Sequence, residues 1–198
     1  VSESLESYLE IESDNSLTRS NDCRVHPNGS FWFGTMGHKA EPVAGSIYHI
    51  RSGKTQLLYS NVTIPNSTCF TPDGSTGYFA DNALNLVWCV ELNPQTGFPI
   101  SERKVFISFD SNVMPDGAIV DSQGNAWIAL WGTSKVAAYR PAGSLLTELH
   151  VSASQVSCPA FSGANCSELR VTTAWANLDE TSRSSQPSAG CLFKFSSA

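Results

Sequence analysis

Three segments of the chain place an Asn or an Asp eight residues before a glycine, and these side chains are the first candidates for chemistry. The side chains are Asn21, Asn66 and Asp116, and the glycines are Gly29, Gly74 and Gly124. One carboxylate and two carboxamides offer the oxygen ligands that hard divalent cations prefer. The sequence therefore predicts a cation site if the fold brings the three side chains together.

The elements that would position these side chains repeat along the chain. Each segment ends in a turn glycine and continues into an apolar, strand-like run. A fourth, looser copy begins at Ser157, and the turn glycines are 45, 50 and 39 residues apart. Such intervals are typical of the four-stranded antiparallel blades of a β-propeller, in which rotation brings equivalent positions to one axis. An antiparallel sandwich is the alternative fold, but it gives no reason for the repeated Asn/Asp position.

Length and composition fit one domain over residues 1–198, with 41% hydrophobic residues. We expect blades around residues 10–60, 61–110, 111–152 and 153–198. A net charge of −6 disfavours nucleic acid as a partner, and no apolar run is long enough to cross a bilayer. The start of the chain lacks the features of a signal peptide, so we expect a cytoplasmic protein. Residues 2–11 fit either a capped helix or a strand.

A structural explanation competes with the functional one at each candidate residue. Asn and Asp also make local hydrogen bonds to the backbone at strand ends. Arg19 would point to the same side of an extended strand as Asn21, where it binds a polar substrate or is an ordinary surface arginine. Asp22 would point away from Asn21 and bond backbone or a neighbouring blade. The four histidines lack the i,i+4 spacing of helical metal sites, so we expect surface or turn positions for them.

Residues 19–36 read RSNDCRVHPNGSFWFGTM. This stretch resembles the Arg-x-Asn-Asp-Gly-Lys…Pro-x-Gly-x-x-Trp-x-Gly-Thr-Met signature of the gluconolactonase/regucalcin family, also called the senescence marker protein family. Further similar motifs follow in the family's order at residues 64–74, 115–132 and 158–174. The resemblance covers residues of roughly 10 to 195.

The resemblance implies a six-bladed propeller, of which this chain supplies about four blades. It also implies one divalent metal ion in the axial channel, with Ca²⁺ or Zn²⁺ expected and Mg²⁺ or Mn²⁺ as further options. Carried over to matching positions, the family pattern makes Asn66 and Asp116 metal ligands and Asp116 the general base. The same pattern makes Arg19 and Asn21 substrate-binding residues.

The chain departs from the family pattern at several positions. The family's remaining metal ligand, a Glu in a Gly-Glu-Gly/Ser-Pro-x-Trp stretch, has no match, so we expect a chain that is incomplete at its N-terminus. Ser67 stands where the family usually has a Gly after the metal-binding Asn, and Cys23 stands where it usually has a Gly after Asn-Asp. An acidic residue that some relatives present to the sugar aligns near Lys39.

Two functions of different classes follow from the resemblance. The first is metal-dependent hydrolysis of a sugar lactone, with a small-molecule lactone as the partner. The alternative is a non-catalytic, calcium-binding regulatory propeller. A four-blade arc would leave open blade edges, through which we expect self-association if the chain is the whole protein.

Overall fold

The computed structural model describes residues 6–196, and within them the strands form four antiparallel sheets. Sheet 1 contains β1 (Thr18–Val25), β2 (Phe31–Gly37), β3 (Gly45–Arg51) and β4 (Lys54–Val62). Sheet 2 contains β5 (Pro65–Phe70), β6 (Thr76–Asp81), β7 (Leu86–Glu91) and β8 (Lys104–Ser108). Sheet 3 contains β9 (Met114–Val120), β10 (Ala126–Trp131), β11 (Lys135–Tyr139) and β12 (Leu145–His150). Sheet 4 contains β13 (Gln155–Ser162), β14 (Glu168–Ala174) and β15 (Leu192–Ser196).

Short helical elements complete the described part of the chain. They are α1 (Glu180–Ser185) and two 3₁₀ turns, Asn82–Leu84 and Ala164–Cys166. No helix within residues 6–196 has the length and apolar character needed to span a bilayer. Residues 1–5 and 197–198 of the predicted domain lie outside the described residues.

The four sheets are arranged as propeller blades. In each sheet the strands pair in chain order, so every pairing is a local antiparallel one. The first strands of the sheets are neighbours: β1 packs on β5, β5 on β9, and β9 on β13. This arrangement around a common axis confirms the predicted all-β propeller, and the alternative of two facing sheets is wrong. The total of six blades remains a prediction.

Apolar side chains fill the spaces between neighbouring sheets. Trp32 and Ile47 of sheet 1 pack with Phe79 and Trp88 of sheet 2, and similar clusters join sheet 2 to sheet 3 and sheet 3 to sheet 4. Alternation along a strand gives each sheet one apolar face for each neighbour. Trp32 is fully buried, and its Nε1 donates to Gly97 O at 3.1 Å. These interlocked faces fix the positions of the inner strands.

His26 occupies a turn position as expected, because its carbonyl oxygen accepts from Gly29 N at 2.8 Å, whereas His49 lies within β3 and differs from the expectation. Both rings are nevertheless buried, at 1% and 2% exposure. His26 Nε2 donates to Gly74 O (3.0 Å), and His49 Nε2 donates to Thr96 O (2.9 Å). Both acceptors belong to loops of sheet 2. Contacts between blades therefore bury these rings, and a local sequence pattern does not contain that information.

Residues 6–17 form neither a helix nor a strand, so both interpretations of residues 2–11 are wrong over the described part. Glu12 fixes this segment against sheet 1, because its carboxylate accepts hydrogen bonds from Tyr48 Oη (2.6 Å), Thr35 Oγ1 (3.0 Å) and Thr18 Oγ1. These side-chain bonds replace the backbone pairing that a strand would need.

Candidate functional site

Two of the inner strands contain a β-bulge at a predicted site residue. In β1, Ser20 pairs with Thr35 and Cys23 with Phe33, so Asn21 and Asp22 together oppose a single residue. In β9, Pro115 pairs with Leu130 and Ala118 with Ile128, so Asp116 and Gly117 oppose one residue. A bulge redirects side chains and leaves backbone groups without ladder partners. Asn21 and Asp116 therefore occupy equivalent, irregular positions at the axis.

The third inner strand, β5, is shifted by one residue relative to the alignment of the segments by their glycines. Asn66 pairs with Ala80 and Cys69 with Tyr78, so the bulged residues are Ser67 and Thr68. Ser67, and not Asn66, is thus the equivalent of Asn21 and Asp116. Ser67 has a φ of 54°, in the left-handed region where glycine is favoured. This backbone conformation explains the glycine that the family motif carries here.

Asn66 nevertheless contacts the neighbouring blade at the axis. Asn21 Nδ2 donates to Asn66 Oδ1 at 3.0 Å and to Pro65 O at 2.9 Å. Arg19 NH1 in turn donates to Asn21 Oδ1 at 3.2 Å and to Ser20 O at 2.8 Å. The structure therefore brings Arg19, Asn21 and Asn66 together in one polar chain, while Arg19 itself stays exposed.

Asp116 joins this group through the backbone of its own bulge. Ser67 Oγ donates to Asp116 O at 2.5 Å, so the residue after Asn66 touches the residue expected to act as base. Burial, and then the negative charge of Asp22, raise the pKa of Asp116 to about 7, and a backbone hydrogen bond from Gly117 opposes the rise. Asp116 is thus a poorly solvated carboxylate close to a second one.

Asp22 bonds the neighbouring blade, as its position in the strand predicted. Its Oδ2 accepts from Thr68 N at 2.7 Å, and its Oδ1 accepts from Cys23 N at 2.8 Å. Burial raises the pKa of Asp22, whereas the bonds from Thr68 and the charge of Arg24 oppose the rise. Arg24 is a residue of the site that the sequence reasoning missed. Its place two residues after Asp22 on an extended strand was the available signal.

The donor set at the axis suits a hard divalent cation. Within residues 6–196, no three Asp, Glu, His or Cys side chains cluster as a metal site. The oxygens available here are the carboxylate of Asp116 and the carboxamide oxygen of Asn66, which are ligands that Ca²⁺ and Mg²⁺ accept. A cation would also offset the desolvation of Asp116 and its repulsion by Asp22. The residues present therefore fit such an ion.

Comparison with known proteins places the chain in a family. A sequence profile described as "SMP-30/Gluconolactonase/LRE-like region" matches residues 1–175. The chain belongs to this family. The resemblance found in residues 19–36 is thereby confirmed.

Individual relatives of the SMP-30/gluconolactonase type agree with this assignment. The chain is 45% identical over 179 residues to the "Putative sugar lactone lactonase" of Rhizobium meliloti (strain 1021), covering 89% of this chain and 60% of that protein. It is 34% identical over 181 residues to the L-arabinolactonase of Azospirillum brasilense, covering 89% and 59%. The solved calcium-binding protein regucalcin of Agrobacterium tumefaciens str. C58 superimposes with a TM-score of 0.92 at 42% identity, over 95% of this chain and 64% of that chain. The chain thus spans about 60% of the length of its curated relatives.

Proposed function

We propose that the protein hydrolyses a sugar lactone and that this chain carries the general base, two metal ligands and the substrate-binding residues. The observation that supports the proposal most strongly is the convergence of three blades at the axis. Asn21 of sheet 1 contacts Asn66 of sheet 2, and Ser67 of sheet 2 contacts Asp116 of sheet 3. The L-arabinolactonase among the relatives supports a lactone as the substrate class.

Each residue has a defined task in this proposal. Arg19 and Asn21 hydrogen-bond the hydroxyl groups of the lactone and hold its ring in place, because the exposed Arg19 and the half-buried Asn21 are bonded to each other at one rim of the site. Asp116 accepts a proton from the attacking water and returns it when the ring oxygen leaves. Asn66 and Asp116 would hold a divalent cation, which would supply Lewis-acid polarisation of the lactone carbonyl.

Acid release from a lactone tests the proposal directly. The wild-type protein should release acid from gluconolactone or L-arabinolactone, and a chelator should abolish the release. Asp116→Asn should lower kcat by about 100-fold or more, because it removes the proton acceptor while the shape of the side chain is kept. The matched control is Asp110→Asn, since Asp110 is an exposed carboxylate of a loop.

The two variants together show whether a loss of activity is specific to Asp116. Unchanged turnover in Asp116→Asn would remove Asp116 from the mechanism. Loss of activity in both variants would point to damage by any lost carboxylate and would not support a special role.

A second function has a specific observation in its favour. The regucalcin of Agrobacterium tumefaciens is described as a calcium-binding protein, and it is the solved structure with the TM-score of 0.92. A regulatory protein that binds Ca²⁺ without catalysis would use the same oxygen ligands. Calcium binding by a wild-type protein that releases no acid from any sugar lactone would favour this function over hydrolysis.

A further inference from the structure

Thr68 is a bulged residue of β5, and side chains of the neighbouring blade bind both of its backbone polar groups. Its N–H donates to Asp22 Oδ2 at 2.7 Å, and its carbonyl oxygen accepts from Arg24 Nε at 3.3 Å. Asp22 and Arg24 lie two residues apart in β1. A bulge removes ladder partners from buried backbone groups, and these groups need replacements. We call Asp22, Arg24 and Thr68 the axial clamp.

Arg24 extends the axial clamp to a third blade. Its NH2 donates to Ala118 O in β9 at 2.7 Å, so one guanidinium bonds carbonyl groups of β5 and β9 at the same time. A guanidinium is planar and carries five N–H donors in a fixed fork, which lets it hold two acceptors at a set separation. Arg24 therefore joins β5 to β9 at this level, in addition to the hydrogen bond from Ser67 Oγ to Asp116 O.

The two carbonyl groups that accept from Arg24 lie at the same sequence distance from the two candidate metal ligands. Thr68 follows Asn66 by two residues, and Ala118 follows Asp116 by two residues. Both pairs lie in inner strands and span the bulges described above. No backbone ladder joins β5 to β9, because the two strands belong to different sheets. Side-chain bonds at the axis therefore add to the apolar packing of sheets 2 and 3 in setting their relative position.

We propose that Arg24 is a positioning residue that fixes the separation of Asn66 and Asp116 and so sets the affinity of the site for its cation. This inference rests on the proposed function. Arg24 acts through the backbones of β5 and β9 and needs no contact with the ion or the lactone. Its effect should therefore appear first in cation affinity and in kcat, and less in KM, because the hydrogen bonds of Arg19 and Asn21 do not go to the carbonyl groups of Thr68 and Ala118.

The test compares the wild-type chain with Arg24→Met, Arg24→Lys and the control Arg103→Met. Arg103 is a suitable control because its guanidinium also contacts side chains of other strands, 4.4 Å from the ring centroid of Trp88 and 5.3 Å from that of Tyr59, away from the axis. Calcium affinity is measured by titration calorimetry with CaCl₂ alone. Urea unfolding in the presence of a chelator measures stability without the ion.

The expected results separate positioning from general stabilisation. Arg24→Met should weaken Ca²⁺ binding by about tenfold or more, since it removes two charge-assisted hydrogen bonds. Arg24→Lys keeps the charge and can reach one carbonyl at a time, so its affinity should lie between those of wild type and Arg24→Met. Arg103→Met should lower the midpoint of unfolding and leave the affinity within about twofold of wild type, because cation–π contacts support the core alone.

Three results would overturn the inference. Wild-type affinity in Arg24→Met would show that the clamp does not set the ligand geometry. An equal loss in Arg24→Met and Arg103→Met would show that affinity follows overall stability. A wild-type chain that binds no Ca²⁺ would remove the metal site itself, and the inference would then fall together with that part of the proposed function.

Discussion

Ser67 offers a sharp test of the backbone geometry at the axis. It is 0% exposed, has a φ of 54°, and donates its Oγ to Asp116 O at 2.5 Å. Two effects of opposite sign meet at this residue. The hydroxyl stabilises the bulge of β9, whereas the left-handed backbone strains any residue with a Cβ atom.

The two effects predict different unfolding free energies for two substitutions of Ser67. Ser67→Ala removes the hydrogen bond, leaves the carbonyl of Asp116 without this donor and keeps the strained φ, which should cost about 1–2 kcal/mol of unfolding free energy. Ser67→Gly loses the same bond but relieves the strain, which should return about 1 kcal/mol. The glycine variant should therefore be more stable than the alanine variant and close to wild type.

Urea unfolding followed by tryptophan fluorescence measures both variants, with a chelator present so that bound ions do not contribute. Ser30 is the matched control, since it is also 0% exposed but has no left-handed φ. At this position the order should reverse, with alanine more stable than glycine by about 0.5–1 kcal/mol, because glycine loses more backbone entropy on folding. If alanine were also the more stable replacement at Ser67, the left-handed conformation and the register of β5 would be refuted.

Three further predictions concern the packing, the ion and the thiols. Gly117→Ala should lower the free energy of unfolding by about 1–3 kcal/mol, since the added Cβ would lie 2.6 Å from Cys158 Sγ and 2.7 Å from the carbonyl oxygen of Ser157. An unchanged thermal midpoint would contradict the close approach of β9 and β13. A chelator should lower the Tm of the calcium-loaded wild type and leave that of Asp116→Asn unchanged, because an ion at 100 times its Kd adds about 2.7 kcal/mol. Cys69 is buried and burial raises its pKa, so it should resist a thiol reagent until the protein unfolds; rapid native-state labelling of Cys69 would show that sheets 2 and 3 open readily. The exposed thiols of Cys166 and Cys191 should react first, and that of Cys23 more slowly, because burial and the charge of Asp22 raise the pKa of Cys23.

The four-sheet fold was predictable because its determinants are local. Each strand pairs with the next strand along the chain, and the hairpin turns carry glycines such as Gly29 and Gly124, whose φ angles of 85° and 84° demand that residue. The spacing of these glycines therefore reports blade length directly. The burial of His26 and His49 was not predictable in this way, because it depends on loops of the next blade that approach only after the sheets have packed.

The candidate site was predictable in its residue types but not in its register. Alignment on turn glycines places Asn66 beside Asn21 and Asp116, whereas the strand pairing places Ser67 there. Glycine is the residue that usually occupies the left-handed φ region that allows this shift, and here the residue is a serine. The two acceptors of Arg24 were not predictable for a related reason, because they are backbone carbonyls, and the spacing from Asp22 alone does not identify them.

The bulges and the site residues have a common physical logic. A bulge leaves backbone groups unpaired in a region where burial makes unpaired groups costly. In sheet 2 the groups of Thr68 are paired by Asp22 and Arg24 of sheet 1, and in sheet 3 the carbonyl of Asp116 is paired by Ser67 of sheet 2. Each of these bulges is thus completed by the blade that precedes it along the chain. In the proposed site, a substitution at one axial residue should therefore disturb the candidate ligand on the next blade, and cation affinity would depend on the joined inner strands together.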